Sequence, residues 1–124
     1  MVQGKSVRFE LIDADPTSVA SLSIFDNTGA AVIPTANQVL YMQSVIFTAA
    51  GTVELTLFDD VDGGGTAGAG DRLAVVALTA AIIHTHTVTF SGSGMMCGPG
   101  RIPKVIGTAA VATRITGNGI VANL

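Results

Sequence analysis

The stretch GTVELTLFD, residues 51–59, is the clearest indication of the fold class because its apolar and polar side chains alternate. Val53, Leu55 and Leu57 fall on one side of an extended backbone, whereas Glu54 falls on the other. Successive side chains of a β-strand point to opposite faces of a sheet, so the stretch predicts a strand with one buried face. An amphipathic helix would repeat its apolar residues about every 3.6 positions, and this stretch does not.

Working outward from this stretch, most neighbouring segments alternate in the same way or form short apolar runs. The predicted strands are 5–13, 18–26, 38–49, 51–59, 72–78, 81–90, 101–107, 109–117 and 119–124. Asn27 and Gly29 predict a hairpin turn, and the pattern of the long strand predicts a bulge near Gln43.

Short strands separated by turn residues are typical of a β-sandwich or barrel. We therefore expect an all-β chain, folded as a single-domain jelly roll or a closely related antiparallel β-sandwich or barrel of about eight strands. The predicted domain spans residues 1–124, with residues 1–16 forming an extended N-terminal arm or an edge strand.

The composition favours a protein that associates with others. Hydrophobic residues make up 48% of the chain, but charged residues make up only 12%, against a usual share of roughly 25%. A surface with so few charges is covered poorly by water alone, which predicts an oligomer or a component of a larger assembly.

Other classes of protein are disfavoured. The net charge is −3 with six Lys or Arg residues, so direct nucleic-acid binding is not expected. Cys97 is the single cysteine, which excludes an internal disulfide. The N-terminal segment lacks the pattern of a signal peptide, and no run of about 18 apolar residues predicts a membrane span. We expect synthesis in a host cytoplasm.

His84 and His86 in AIIHTHTVTF, residues 81–90, are the first candidates for a metal site. On a strand both imidazoles would point to one face, as in cupin-type metalloenzymes. Such a site also needs a glutamate four or five residues later and a third histidine. The chain has Phe90 and Ser91 at those positions and no other histidine. We interpret the pair as part of a sheet face or a subunit interface, with equivalent histidines around a threefold axis as a further arrangement.

A second candidate metal site lies in the Asp-rich loop, residues 59–71. The run Asp60-X-Asp62-Gly63 is similar to the start of a calcium loop, whose ligands are oxygens. The full EF-hand pattern is absent because no glutamate closes the loop. The loop is therefore either a calcium site or a solvated hairpin tip.

The second long loop, SGSGMMCGPG at 91–100, supplies candidate interface residues. Methionine adapts to irregular apolar surfaces, so we expect Met95 and Met96 to contact a neighbouring protein, together with Arg101. No phosphate-binding loop and no nucleophile elbow occurs, and we therefore expect neither catalytic residues nor a cofactor.

The pattern VLYMQSVIFTAAGTVELTLFDD…GDRLAVVAL…HTVTFSG…GPGRIPKVI…VATRITG, within residues 37–117, resembles the small jelly-roll decoration (cement) proteins on the heads of tailed bacteriophages. The similar elements are the Val-X-Leu-X-Leu strand, the Gly-rich hairpin and the GPGR turn. The resemblance implies a non-enzymatic virion protein: a homotrimer on the outer capsid surface that binds the major capsid protein where its subunits meet. One alternative is a head-fibre or tail adhesion module that binds a host surface, and another is a metal-dependent, cupin-like enzyme.

Overall fold

The computed structural model describes residues 4–68, 70–79 and 84–124, which form ten β-strands in two antiparallel sheets. No residue in these ranges is helical, which confirms the all-β prediction. The strands are β1 (Lys5–Asp13), β2 (Ala20–Ser21), β3 (Ser23–Asp26), β4 (Gln38–Ala49), β5 (Val53–Phe58), β6 (Arg72–Leu78), β7 (His84–Thr89), β8 (Met95–Cys97), β9 (Lys104–Gly107) and β10 (Thr113–Asn123). None of the described residues lies in a helix that could cross a membrane.

The strand pairing identifies the sandwich as a jelly roll. β1 pairs with β10, β2 with β9, β4 with β7 and β8, and β5 with β6, so the first half of the chain folds back on the second. The first sheet has the order β3-β1-β10-β4-β7, with β8 also beside β4, and the second has the order β2-β9-β5-β6. This is the two-sheet, double Greek-key arrangement of a jelly roll.

The core lies between the inner faces of the two sheets, where the apolar half of each alternating pattern meets. The first sheet contributes Phe9, Leu40 and Phe47, and the second contributes Leu55 and Leu57, all essentially inaccessible to solvent. Burying one such side chain contributes about 1.5–3 kcal/mol. Burial of the apolar side chains of this alternating pattern therefore stabilises the packing of the two sheets.

β4 contains the predicted bulge. Opposite β10, Ser44 pairs with Asn118 and Met42 pairs with Gly119, which leaves Gln43 as the extra residue. On its other side β4 changes partner at the same position, from β7 to β8. The bulge lets one long strand hold two short neighbours.

The N-terminal segment differs from its prediction. We expected residues 1–16 to form an extended arm or an edge strand. Residues 1–3 lie outside the described residues, and β1 lies inside the first sheet. From Val7 to Glu10 it pairs with both β10 and β3. β3 is the edge strand on this side instead, because the chain passes through β2 of the second sheet and then returns to pair with β1.

Two further boundaries differ. The predicted strand 18–26 divides at the buried Leu22 into β2 and β3, which belong to different sheets. The predicted loop 91–100 contains β8, and 109–117 with 119–124 forms the single strand β10, so the sandwich has ten strands rather than about eight. Of the predicted strand 81–90, residues 81–83 lie outside the described residues.

Gly117 provides a test of the sheet packing. A methyl group at this position would overlap the Ser44 carbonyl oxygen and the Phe9 ring. We expect Gly117→Ala to lower the free energy of unfolding by about 1–3 kcal/mol, because a packed site resists added volume. Gly70→Ala is the control, since no other atom lies within 4 Å of the new methyl group. Its effect should stay within about 0.5 kcal/mol. Equal losses in the two variants, measured by denaturant unfolding, would contradict the packing.

Candidate functional site

One end of the sandwich carries two adjacent buried carboxylates. Asp59 and Asp60 follow β5 directly and are 6% and 4% exposed. β5 and β9 are neighbours, and Phe58 pairs with Lys104, so the loop after β5 lies beside the segment before β9. This pairing brings two carboxylates and two cationic side chains together.

Each carboxylate has its own cation. Arg101 donates from Nε to Asp59 Oδ1 at 2.6 Å and from Nη2 to Oδ2 at 3.0 Å, a bidentate arrangement. The Gly98 amide donates to Asp59 Oδ2 at 3.2 Å. Lys104 Nζ donates to Asp60 Oδ2 at 2.8 Å. These contacts hold the 59–71 loop against the start of β9 and the segment before it.

Both carboxyl groups are held in the ionised form. Burial disfavours the charged form of Asp59, but hydrogen bonds from Arg101 and Gly98 outweigh burial, and its pKa lies below the ordinary value. The Lys104 ammonium lowers the pKa of Asp60 in the same way. The arrangement is electrostatic cross-linking rather than acid–base chemistry, because neither group is poised near neutral pH.

The Asp-rich loop gathers three carboxylates. Oxygens of Asp60, Asp62 and Asp71 lie within 4.8 Å of one another. The sequence singled out Asp60 and Asp62 and missed Asp71, which stands at the opposite end of the loop. The backbone joins the two ends, since the Asp59 amide donates to the Asp71 carbonyl at 2.8 Å. The sequence could have indicated Asp71, because a hairpin between β5 and β6 brings the two ends of its loop together.

The histidine pair lies on an edge of the first sheet. His86 pairs with Phe47 and His84 with Ala49, and both histidines are exposed. Among the described residues neither histidine belongs to a group of three possible metal ligands. Both histidines therefore lie outside the core, on the edge strand β7. The non-enzymatic role of the protein stays a prediction.

The predicted interface residues separate into two groups. Met95 and Met96 form β8 beside β4 and are 36% and 49% exposed. Arg101 is held by Asp59, so its guanidinium serves the cross-link described above. Cys97 is buried next to Met96, and burial raises the pKa of its thiol, which disfavours the reactive thiolate form.

The outer face of the first sheet is free of charge over β4, β7 and β8. Register and alternation place on this face Tyr41, Ser44, Ile46, Thr48, Thr85, Thr87, Thr89 and Met96. None of these side chains carries a charge at neutral pH. The charged residues of the same face lie on β1 and β10, where Arg114 contacts Glu10 at 3.4 Å.

No protein-family model and no curated protein matches the sequence. Among solved structures the chain is similar to a Bacillus endospore appendage protein from a family of disulfide-linked pili. The identity is 16%, the match covers 100% of this chain and 89% of that chain, and the TM-score is 0.42. A second neighbour comes from the extra small virus of the giant freshwater prawn Macrobrachium rosenbergii, with 14% identity, 96% and 76% coverage, and a TM-score of 0.44.

A family 6 carbohydrate-binding module is also similar, with 12% identity, 93% and 82% coverage, and a TM-score of 0.36. The structural neighbours thus include viral and pilus proteins and carbohydrate-binding modules. Such values describe a general likeness of fold and assign neither a family nor a function.

Asp59→Asn tests the cross-link. The variant leaves the Arg101 guanidinium without its carboxylate, and we expect it to lose about 1.5–3 kcal/mol of unfolding free energy at neutral pH. Glu10→Gln, which removes the exposed partner of Arg114, is the control and should lose at most about 1 kcal/mol. Urea unfolding of both variants measures the difference, and equal losses would contradict a special role for Asp59.

The same cross-link predicts a pH dependence. Because folding lowers the pKa of Asp59 below its ordinary value of 3.8, its stabilisation is present above that pH and is lost as the pH falls through the lower, folded value. The stability difference between the wild type and Asp59→Asn should therefore shrink below about pH 4. A difference that stays constant down to pH 2 would show that the ionised carboxylate is not responsible.

Proposed function

We propose that this protein is a structural component of a virus particle, specifically a decoration protein of a tailed-phage head. In this proposal the chain forms a homotrimer and binds the major capsid protein on the outside of the shell, at junctions between capsid subunits. The jelly-roll topology is compatible with this role, since viral capsid domains are among the proteins built on it. The exposed edge of strand β7 supports this proposal more specifically than the topology does.

Among the described strands, β7 pairs only with β4 and is therefore an edge strand. Its sequence, HTHTVT, has no lysine or proline, and its pairing with β4 has no bulge. The other edge strands of the described sheets differ from β7: β2 has two residues and β8 has three, β6 begins with Arg72 beside a bulge, and the Val32 amide donates to the Ile24 carbonyl of β3. Proteins normally block exposed edges because an open edge pairs with other chains. An open edge in this protein is therefore suited to an assembly contact.

The charge-free face adjoins this edge. Interface cores are depleted in charged residues and enriched in aromatic residues and methionine. Tyr41 and Met96 pair across β4 and β8, and Ile46 lies beside Thr87 of β7. The outer face and the edge together form a continuous surface. No charged side chain of this surface has to lose its hydration when a second protein binds.

A protein of this kind would stabilise the capsid by binding to the assembled shell. A ligand that binds only the assembled state stabilises that state by mass action, by about 2.7 kcal/mol for each site when its free concentration is 100 times its dissociation constant. Contacts repeated over a shell add this gain at every junction. No catalytic residue is needed for that effect.

Thr87→Lys tests the assembly surface. A lysine in the middle of β7 would have to lose its hydration in any contact made there. We therefore expect the affinity of the protein for phage heads to fall at least about tenfold. Thr52→Lys adds the same charge at an exposed turn and is the control. Light scattering should show a trimer of the wild type, and cosedimentation should show that the wild type and Thr52→Lys bind phage heads assembled without this protein. A monomer that does not bind such heads would reject the proposal.

A host-surface adhesion module is the second candidate, and one observation favours it. Two adjoining depressions of about 380 and 360 Å³ lie around Arg8 on the first sheet. Their polar lining residues include Ser6, Arg8, Glu10, Asp26, Asn27, Gln43, Thr116 and Asn118. Amide, carboxylate and guanidinium groups are hydrogen-bonding partners for sugar hydroxyls.

A glycan-binding assay on the isolated protein separates the two candidates. Carbohydrate binding that is lost in Asn118→Ala and retained in Thr87→Lys would favour adhesion. Absence of glycan binding together with head binding that Thr87→Lys weakens would favour decoration.

A further inference from the structure

The carboxylates of the Asp-rich loop are close enough to share one ion. Calcium binds oxygen ligands at about 2.3–2.6 Å, so two oxygens on the same ion lie at most about 5 Å apart. Oxygens of Asp60, Asp62 and Asp71 all lie within 4.8 Å of one another. The three residues therefore meet the distance requirement for a common ion without rearrangement of the loop.

Asp60 has a buried oxygen to which no described residue donates a hydrogen bond. The Asp60 side chain is 2% exposed, and its Oδ2 accepts from Lys104 Nζ at 2.8 Å and from the Gly65 amide at 2.9 Å. Its Oδ1 is buried and has no hydrogen-bond partner in the part of the chain that the structure describes. An ionised oxygen without a donor is strongly unfavourable in a protein interior. A cation bound to Oδ1 would remove that cost.

The local charges point to the same ligand. Lys104 neutralises one of the three carboxylates, and Arg101 is held by Asp59. Two negative charges of the cluster thus remain without a bonded cation, and like charges at this separation repel one another. One divalent cation balances them.

The loop backbone holds the carboxylates in place. The Gly64 amide donates to Asp62 Oδ1 at 2.9 Å. Side chains at Gly64 or Gly68 would approach the Asp62 and Asp71 carboxylates, to 3.2 and 3.3 Å. Glycine at these positions leaves room for the carboxylates to converge.

We propose that Asp60, Asp62 and Asp71 bind one calcium ion, which closes the loop between β5 and β6. All three ligands are hard oxygen donors, the kind that calcium prefers, and neither histidine nor cysteine is among them. Calcium also tolerates the irregular geometry of a glycine-rich loop, whereas magnesium demands a near-ideal octahedron. Backbone carbonyls and water would complete the six to eight ligands that calcium takes.

Calcium titration of the chelator-treated full chain tests the site. We expect one calcium ion per chain with a dissociation constant below about 1 mM, and a higher thermal unfolding midpoint when calcium is present. Magnesium should bind at least about tenfold more weakly.

Two double variants give the contrast. Asp62→Asn with Asp71→Asn removes two ligands, and calcium affinity should fall at least about tenfold. This double variant keeps Asp60 and its hydrogen bond to Lys104, so the protein should fold. Asp13→Asn with Asp15→Asn removes two charges, one at the last residue of β1 and one just after it, and this double variant should bind calcium like the wild type. Absence of calcium binding by the folded wild type, or equal affinity in the two double variants, would overturn the proposal.

Discussion

The position of β4 between two sets of partners is the constraint on which the rest of the structure depends. β4 pairs along its length with β10 on one side, while β7 and β8 share its other side. Its inner-face residues, such as Leu40 and Phe47, form the centre of the core. The bulge at Gln43 reconciles the two sides, because one extra residue bends the strand where its neighbour changes. Both the charge-free face and the open edge follow from this arrangement.

A second constraint acts at the end of the sandwich. The pairs Arg101–Asp59 and Lys104–Asp60 join the loop after β5 to the start of β9 and the segment before it. Their carboxylates are buried, whereas the Arg114–Glu10 pair is exposed to water, which screens it. The buried pairs therefore fix the position of the loop, and this fixed base is what brings Asp60 close to Asp62 and Asp71.

Much of the fold was predictable because alternation is a local property of the chain. β1, β4 and β6 have the predicted bounds, and Gln43 is the predicted bulge. Sheet membership is not local, which explains why the division of 18–26 between two sheets was missed. β8 was missed because its three residues lie among glycines and are ordered by pairing with β4. The cross-link was missed for a similar reason, since Asp59 and Arg101 are 42 residues apart and meet only through the pairing of β5 with β9.

β4 is held on both sides, and we propose that the exposed edge of β7 serves assembly. Native-state hydrogen exchange, measured residue by residue on protein that has been diluted until it is monomeric, tests whether the edge of β7 is open. The account predicts that amides of β4 and β10 exchange slowest, whereas alternate amides of β7, those that point away from β4, exchange rapidly. Uniform protection along β7 in the isolated monomer, or exchange in β4 as fast as in β7, would contradict it.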